Sequence, residues 1–283
     1  MNPQVQASFA AQATYDPAVA LEFFKSAGTP ATIAEGKTIF KERQRQIPFL
    51  RRNTMYLLLR GEVGLLAGKK PIGRVRPGEI FGEMAVISHA ARSASAVART
   101  PCRMLALDDQ RFEVALKKKP MFALMLMSVL IHRLRETVAQ VNAGGGFSGD
   151  EALDESAAFD ARTLATLVEG LADEQPVFYP ERSSIVAEGQ KGLRMYAVLE
   201  GTVRVLIGGR IVERLGPGGV FGEAALIDAS AQRLASVLAE TDCSLQPITR
   251  EAFLSLVKMS PEFAQQMLTS LAERLRFLTT RLG

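Results

Sequence analysis

The sequence predicts a mainly β protein with flanking helices, built as two tandem β jelly-roll barrels, each followed by a long C-terminal helix. Three observations lead there. The chain repeats itself across most of its 283 residues. Gly and Pro break each copy into many short β-rich runs with no helix between them, the pattern of an antiparallel barrel or jelly roll. Each copy then ends in a long stretch whose apolar residues recur at helical spacing.

The repeat is direct. Residues 55–66 read M-Y-L-L-L-R-G-E-V-G-L-L and residues 195–206 read M-Y-A-V-L-E-G-T-V-R-V-L, at an offset of 140. V-R-P-G-E-I-F-G-E-M-A-V-I (75–87) matches L-G-P-G-G-V-F-G-E-A-A-L-I (215–227) at the same offset. From Arg92/Arg233 onward the offset is 141, through Cys102/Cys243, Phe112/Phe253, Pro120/Pro261 and Arg133/Arg274. One extra residue therefore sits between Ile227 and Arg233. The chain is a tandem duplication of one domain.

Taken in order, residues 1–14 are Ala/Gln-rich, carry no Lys or Arg, and read as a disordered tail rather than a signal peptide. The first domain is expected over 15–142. Asp16-Pro17 caps its opening helix and Gly28 stops it. Short strands follow, punctuated by Gly61 and Pro77-Gly78, and a helix is predicted over about 120–142. Residues 143–158, Gly-rich and then acidic, have linker composition. The second domain is expected over 159–283. Asp160 caps its first helix, Gly201, Gly208-Gly209 and Pro217-Gly218 mark its turns, and a helix is predicted over about 261–282.

Composition excludes several functions. Two cysteines do not make a disulfide scaffold, and a reducing cytoplasm is expected. Two isolated histidines cannot form the H-x-H cluster of the metal-dependent cupins, so no metal is expected. No Ser/His/Asp arrangement or P-loop is present, and no enzymatic activity is expected. His89 and His132 read as surface residues, and Cys102 and Cys243 as equivalent packing positions. The longest apolar run, Met121 to Ile131, is about half the length a bilayer span needs, so no membrane insertion is expected. The formal charge of +4 hides an asymmetry: residues 1–142 carry 21 Lys+Arg against 11 Asp+Glu, a net +10, whereas residues 143–283 carry 13 against 19, a net −6. This fits either an anionic partner or mutual attraction of the halves.

The chemistry concentrates in F-G-E-M-A-V-I-S-H-A-A-R-S-A-S (81–95) and F-G-E-A-A-L-I-D-A-S-A-Q-R-L-A-S (221–236). Gly82 and Gly222 allow a backbone to approach a ligand closely. Met84 and Ala85, with Ala224 and Ala225, open a short helix whose free N–H groups favour an anion. Glu83 and Glu223 are acceptors for hydroxyls. Arg92 and Arg233 offer a planar fork for a phosphate. A carboxylate for hydroxyls, an arginine for phosphate and amides between them describe a sugar-phosphate site. The plainer alternative is that each Glu is a buried structural carboxylate paired to its own Arg.

P-G-x-x-F-G-E-x-A, the spaced Arg with small residues, and Y-x-x-x-x-G before them, all present twice, resemble the cyclic-nucleotide-binding domain of bacterial catabolite activator proteins and protein kinase A regulatory subunits. The resemblance covers about 30–142 and 175–283. It implies a ligand inside each jelly roll, expected to be cAMP, with cGMP as the second candidate. Glu83 and Glu223 would take the ribose 2′-hydroxyl, and Arg92 and Arg233 the cyclic phosphate. Ser93, Ala94 and Ser95, with Leu234, Ala235 and Ser236, would line the phosphate. The following helix would close over the base and pass the signal to a protein partner. An interaction scaffold with degenerate pockets, or with another anionic ligand, is the alternative.

The copies depart from the pattern differently. Copy one spans fourteen residues from Glu42 to Tyr56, where copy two needs eight from Glu188 to Tyr196. The six extra residues of the insertion at 43–52 include Arg51 and Arg52 and suggest contact with a partner or the pocket mouth. Copy two keeps the Glu188-Gly189 turn but places Leu234 where a small polar residue is usual. Leu124, Met127, Ile131, Leu134, Val138 and Val141, and Leu268, Leu271, Leu275, Leu278 and Leu282, form two short heptad-like seams that offer a homodimer interface or a face to pack on the chain's own barrels. The helix-turn-helix that follows the long helix in activator-type members is not expected here, so nucleic acid is not expected as a partner; nonspecific binding by the basic half is a weaker idea.

Overall fold

A computed structural model of the chain describes residues 15–44, 53–143, 157–171, 174–227 and 232–279. The expected tail, most of the insertion, nearly all of the linker, and the segment holding the extra residue of copy two lie outside the described residues. The chain divides into two compact units between Phe122 and Ala123.

The first unit opens on helix α1 (Pro17–Ala27), capped as expected. The Asp16 carboxylate accepts from the Ala18 N–H at 2.8 Å, and the Gly28 N–H returns to the Phe24 carbonyl at 2.7 Å. Strands β1 (Thr29–Ile33), β2 (Thr38–Phe40), β3 (Thr54–Arg60), β4 (Val63–Ala67), β5 (Lys70–Val75) and β6 (Ile80–Phe81) follow. A short helix α2 (Glu83–Ile87) precedes β7 (Ser95–Ala98) and β8 (Cys102–Asp108). The Asp108 side chain caps helix α3 (Asp109–Lys118), and helix α4 (Met121–Ala143) comes next. Phe122 at its start stacks on Phe23 of α1 at 3.6 Å between ring centroids.

The second copy repeats the plan. Asp160 caps helix α5 (Ala161–Gly170) through the Thr163 N–H at 2.7 Å. The strands are β9 (Val177–Tyr179), β10 (Ser184–Val186), β11 (Arg194–Glu200), β12 (Val203–Ile207), β13 (Arg210–Leu215), β14 (Val220–Phe221), β15 (Ser236–Ala239) and β16 (Cys243–Thr249). Helix α6 (Ala224–Ile227) lies between β14 and β15, and α7 (Arg250–Met259) and α8 (Pro261–Thr279) close the described chain.

Each copy holds two four-stranded antiparallel sheets in one topology. Copy one has the orders β1-β8-β3-β6 and β2-β7-β4-β5; copy two has β9-β16-β11-β14 and β10-β15-β12-β13. Even the irregularities repeat. Register shifts fall between Leu58 and Arg60, and between Val198 and Glu200, just before the equivalent Gly61 and Gly201. Tyr56 pairs with Phe81 and Tyr196 with Phe221, their rings stacked at 5.1 and 5.3 Å. The inward residues of copy one, among them Phe40, Leu58, Val63, Phe81 and Met104, form one buried cluster that includes Cys102. Cys102 and Cys243 are both buried and unbridged, in the equivalent packing positions expected.

The described residues of both apolar seams are covered within the chain, while the Val141 side chain and Leu282 lie outside the described residues. Leu124, Met127, Ile131, Leu134 and Val138 of α4 are buried, as are Leu268, Leu271, Leu275 and Leu278 of α8. His89 and His132 are exposed, each within ion-pair distance of a glutamate, Glu113 and Glu136. Among the described residues no helix is long and apolar enough to cross a membrane.

The start of the insertion is now located. The Glu42 N–H donates to the Ser95 hydroxyl at 2.9 Å and the Glu188 N–H to the Ser236 hydroxyl at 3.0 Å, so the two glutamates are equivalent. The next residue carries a positive φ in both copies, +80° at Gly189 but +58° at Arg43. A left-handed conformation costs a residue with a Cβ roughly 1–2 kcal/mol, and copy one carries that cost where copy two has glycine. A Cβ on Gly189 would meet nothing within 4 Å, so only the backbone is at stake. Gly189→Ala is therefore expected to destabilise copy two by about 1 kcal/mol in chemical denaturation. Arg43→Gly is expected to stabilise copy one by about 0.5 kcal/mol, the relief of strain being partly offset by a freer unfolded chain.

Candidate functional site

The cassette is built twice around one arginine. In copy one Gly82 (φ +75°) turns the chain from β6 into α2. The Arg92 guanidinium donates from Nη1 to the Gly82 carbonyl and from Nη2 to the Thr54 carbonyl, both at 2.7 Å. Its own backbone pairs with the turn after β2: the Arg92 N–H donates to the Gln44 carbonyl at 3.1 Å, and the Arg43 N–H to the Arg92 carbonyl at 2.9 Å. In copy two Arg233 donates from Nη1 to the Gly222 carbonyl at 3.0 Å and from Nη2 to the Arg194 carbonyl at 2.7 Å. The backbone pairing also repeats, Arg233 N–H to Gln190 carbonyl at 2.7 Å and Gly189 N–H to Arg233 carbonyl at 2.9 Å.

Both arginines are buried, and burial pulls each guanidinium below its ordinary value, opposed by Tyr56 and Glu83 in copy one and by Tyr196 and Glu223 in copy two. A Cβ on Gly82 or Gly222 would run into the guanidinium itself, so at these two positions the glycine serves both the positive φ and the close packing of the arginine. Of the remaining predicted residues, Glu83, Met84, Ala85, Ala94, Glu223, Ala224 and Ala225 are buried, Leu234 and Ala235 are half-buried, and Ser93 is exposed.

In copy two these residues line a partly open cavity of about 80 Å³. Gly222, Glu223, Ala224, Ala225, Arg233, Leu234 and Ala235, all seven residues predicted for that copy, line it. The rest of the wall is mostly aliphatic, from β10, β12 and β13, with Phe277 and Leu278 of α8 and Leu134 and Val138 of α4.

Sequence reasoning missed the partner of Glu223. The carboxylate does not pair with its own cassette arginine but with Arg274 of α8, Nη1 to Oε1 at 3.3 Å. Arg274 also donates from Nε to both oxygens of Glu213, at 3.2 and 3.0 Å, and from Nη2 to the Val220 carbonyl. Burial alone would lower Arg274, but the two carboxylates outweigh it and raise the group above its ordinary value. The second oxygen of Glu223 is buried with no hydrogen-bond partner. Arg274 is a repeated position, with Arg133 as counterpart, and that was the available signal. Glu213 left none, because copy one has Gly73 there.

The copies differ again beneath the arginine. The Arg92 guanidinium lies 4.1 Å from the centre of the Phe40 ring. The residue of copy two in that register is Val186, which lines the cavity.

A family model for the cyclic nucleotide-binding domain matches residues 32–119 and again residues 176–260, and the chain belongs to that family. It carries two such domains in tandem. Among similar proteins, the cAMP-activated global transcriptional regulator CRP of Salmonella typhimurium is 28% identical over 110 residues, covering 37% of this chain and 52% of the relative. The cyclic AMP receptor protein of Thermus thermophilus is 38% identical over 103 residues, covering 35% and 47%. The chain thus spans about half the length of the curated relatives it matches. Among solved structures, the regulatory domain of Toxoplasma gondii PKA with cAMP is 20% identical, covering 93% of this chain and 95% of that one at a TM-score of 0.32.

The Arg274 cluster sets a stability test. Arg274→Ala strands two buried carboxylates, and removing one member of a buried ionic group costs about 3–5 kcal/mol. Chemical denaturation is expected to show a loss of that size in the second copy. The exposed Arg182→Ala serves as control and is expected to change stability by less than about 0.5 kcal/mol.

Proposed function

We propose that the protein is a non-enzymatic cyclic-nucleotide sensor, with cAMP as its expected ligand, which changes helix arrangement on binding and so regulates a partner protein. The observation that carries this reading is the doubled cassette. A buried guanidinium is clamped by two carbonyls beside a buried glutamate, and in copy two that constellation faces a mostly aliphatic cavity. An arginine for the cyclic phosphate, the open oxygen of Glu223 for a ribose hydroxyl, and aliphatic walls for the purine match the three parts of such a ligand in kind. The clamp leaves Arg233 donors beyond the two carbonyl bonds, since a guanidinium carries five N–H groups. Phe277 and Leu278 on α8 put the terminal helix in the pocket wall, so a ligand that meets them acts on the helix. A partner that reads the helix must in turn alter ligand affinity by the same factor.

Calorimetric titration of the full chain with cAMP and with cGMP tests the reading. Saturable binding in the micromolar range is expected. Arg233→Lys keeps the charge but loses the planar fork, and is expected to weaken binding at that site at least tenfold, with Arg92→Lys as the matching test of copy one. A folded protein that binds neither nucleotide up to millimolar concentration refutes the proposal.

A further inference from the structure

Helix α4 follows copy one in the sequence, yet it builds part of the cavity of copy two. From Ala123 onward it clusters with the second unit. Leu134 and Val138, one turn apart, line the cavity and are each 6% exposed. Arg135 donates to the Gln232 carbonyl at 3.3 Å, immediately before Arg233. Asn142 donates to the Glu188 carboxylate at 3.3 Å. Residues 134, 138 and 142 fall on one face of a helix, with 135 beside them. That face reaches both segments that hold the Arg233 backbone, the 188–190 turn and residue 232. Glu188 is itself fixed at the other end, its second oxygen accepting from the Gly208 N–H at 3.1 Å.

We infer that the cyclic-nucleotide site of copy two is composite: helix α4, from outside the matched domain, supplies an aliphatic wall for the purine, and its two polar tethers hold the loops that carry the phosphate-binding arginine. The inference rests on the reading of copy two as a nucleotide site. Its chemistry follows from the division of the cavity. Arg274 gathers Glu213 and Glu223 into one charged cluster, and the flat apolar part of the ligand is left to the aliphatic residues.

Hydrogen–deuterium exchange on the full chain, titrated with cAMP and with cGMP, reads each copy separately. Ligand is expected to protect peptides covering 220–239 in the wild-type protein. Leu134→Ala/Val138→Ala is expected to shift the midpoint of that protection at least tenfold to higher ligand, a loss on the scale of one or two buried methylenes. The polar pair Arg135→Ala/Asn142→Ala, which leaves the apolar face intact, is expected to shift it about threefold. Protection in 82–98 is expected to keep its wild-type midpoint in both variants. Baseline exchange of the second unit without ligand shows whether either variant has unfolded, and the tether pair decides if the apolar pair has. Wild-type protection with an unchanged midpoint in a folded variant overturns the composite site, and a midpoint shifted to lower ligand makes α4 a plug and overturns it equally. No wild-type protection in 220–239 with either nucleotide refutes copy two as a nucleotide site, and the inference falls with it.

Discussion

A guanidinium taken out of water must find acceptors inside the protein, and the cassette arginine finds them in backbone. Burying a charge without hydrogen bonds is prohibitively costly. Arg92 answers with the carbonyls of Gly82 and Thr54, and Arg233 with those of Gly222 and Arg194. Those carbonyls belong to segments far apart in sequence. One lies at the end of β6 or β14, the other at the start of β3 or β11. The backbone of the arginine meanwhile pairs with the turn after β2 or β10. One side chain thus ties three stretches of each copy to a single point. The glycine that supplies one carbonyl also leaves the room the guanidinium fills, so neither residue is interchangeable without the other.

Around that shared point the copies have diverged in chemistry. Copy one places Phe40 against the arginine; copy two has Val186 and an open aliphatic wall. Copy two alone has Glu213, which doubles the negative charge facing Arg274 and ties helix α8 to the sheet. A buried group of this kind is a poor source of net stability, because desolvation consumes most of the attraction. Its stronger effect is on arrangement: Arg274 can satisfy both carboxylates only with the helix in one position. The overall charge asymmetry, +10 against −6, belongs to surfaces laid over a common frame.

How much of this was legible in the sequence varied with how local each feature was. The strand plan, the Asp16 and Asp160 caps and the cassette were readable because each depends on neighbours in the chain, and the repeat let one copy check the other. The comparison also marked Arg133 and Arg274 as worth keeping. It was blind where the copies differ, and Glu213 opposite Gly73 is the case in point. The turn shows the limit of reading by residue type: Glu188 is followed by Gly and Glu42 by Arg, yet Arg43 adopts the glycine-like φ. The contribution of α4 to the cavity of copy two was beyond reach, since heptad spacing shows that a face is apolar without showing what covers it.

The boundary between the compact units has a consequence for how such a protein can change over evolutionary time. The unit of duplication runs from the opening helix to the long one, so it counts α4 with the first copy. The unit of packing breaks between Phe122 and Ala123, and counts almost all of α4 with the second. A gene rearrangement that swapped or deleted the first copy as inherited would take Leu134 and Val138 out of the neighbouring cavity and leave aliphatic surface facing water. The two modules can diverge in sequence as freely as their surfaces have, but they are no longer separable at the seam along which they arose.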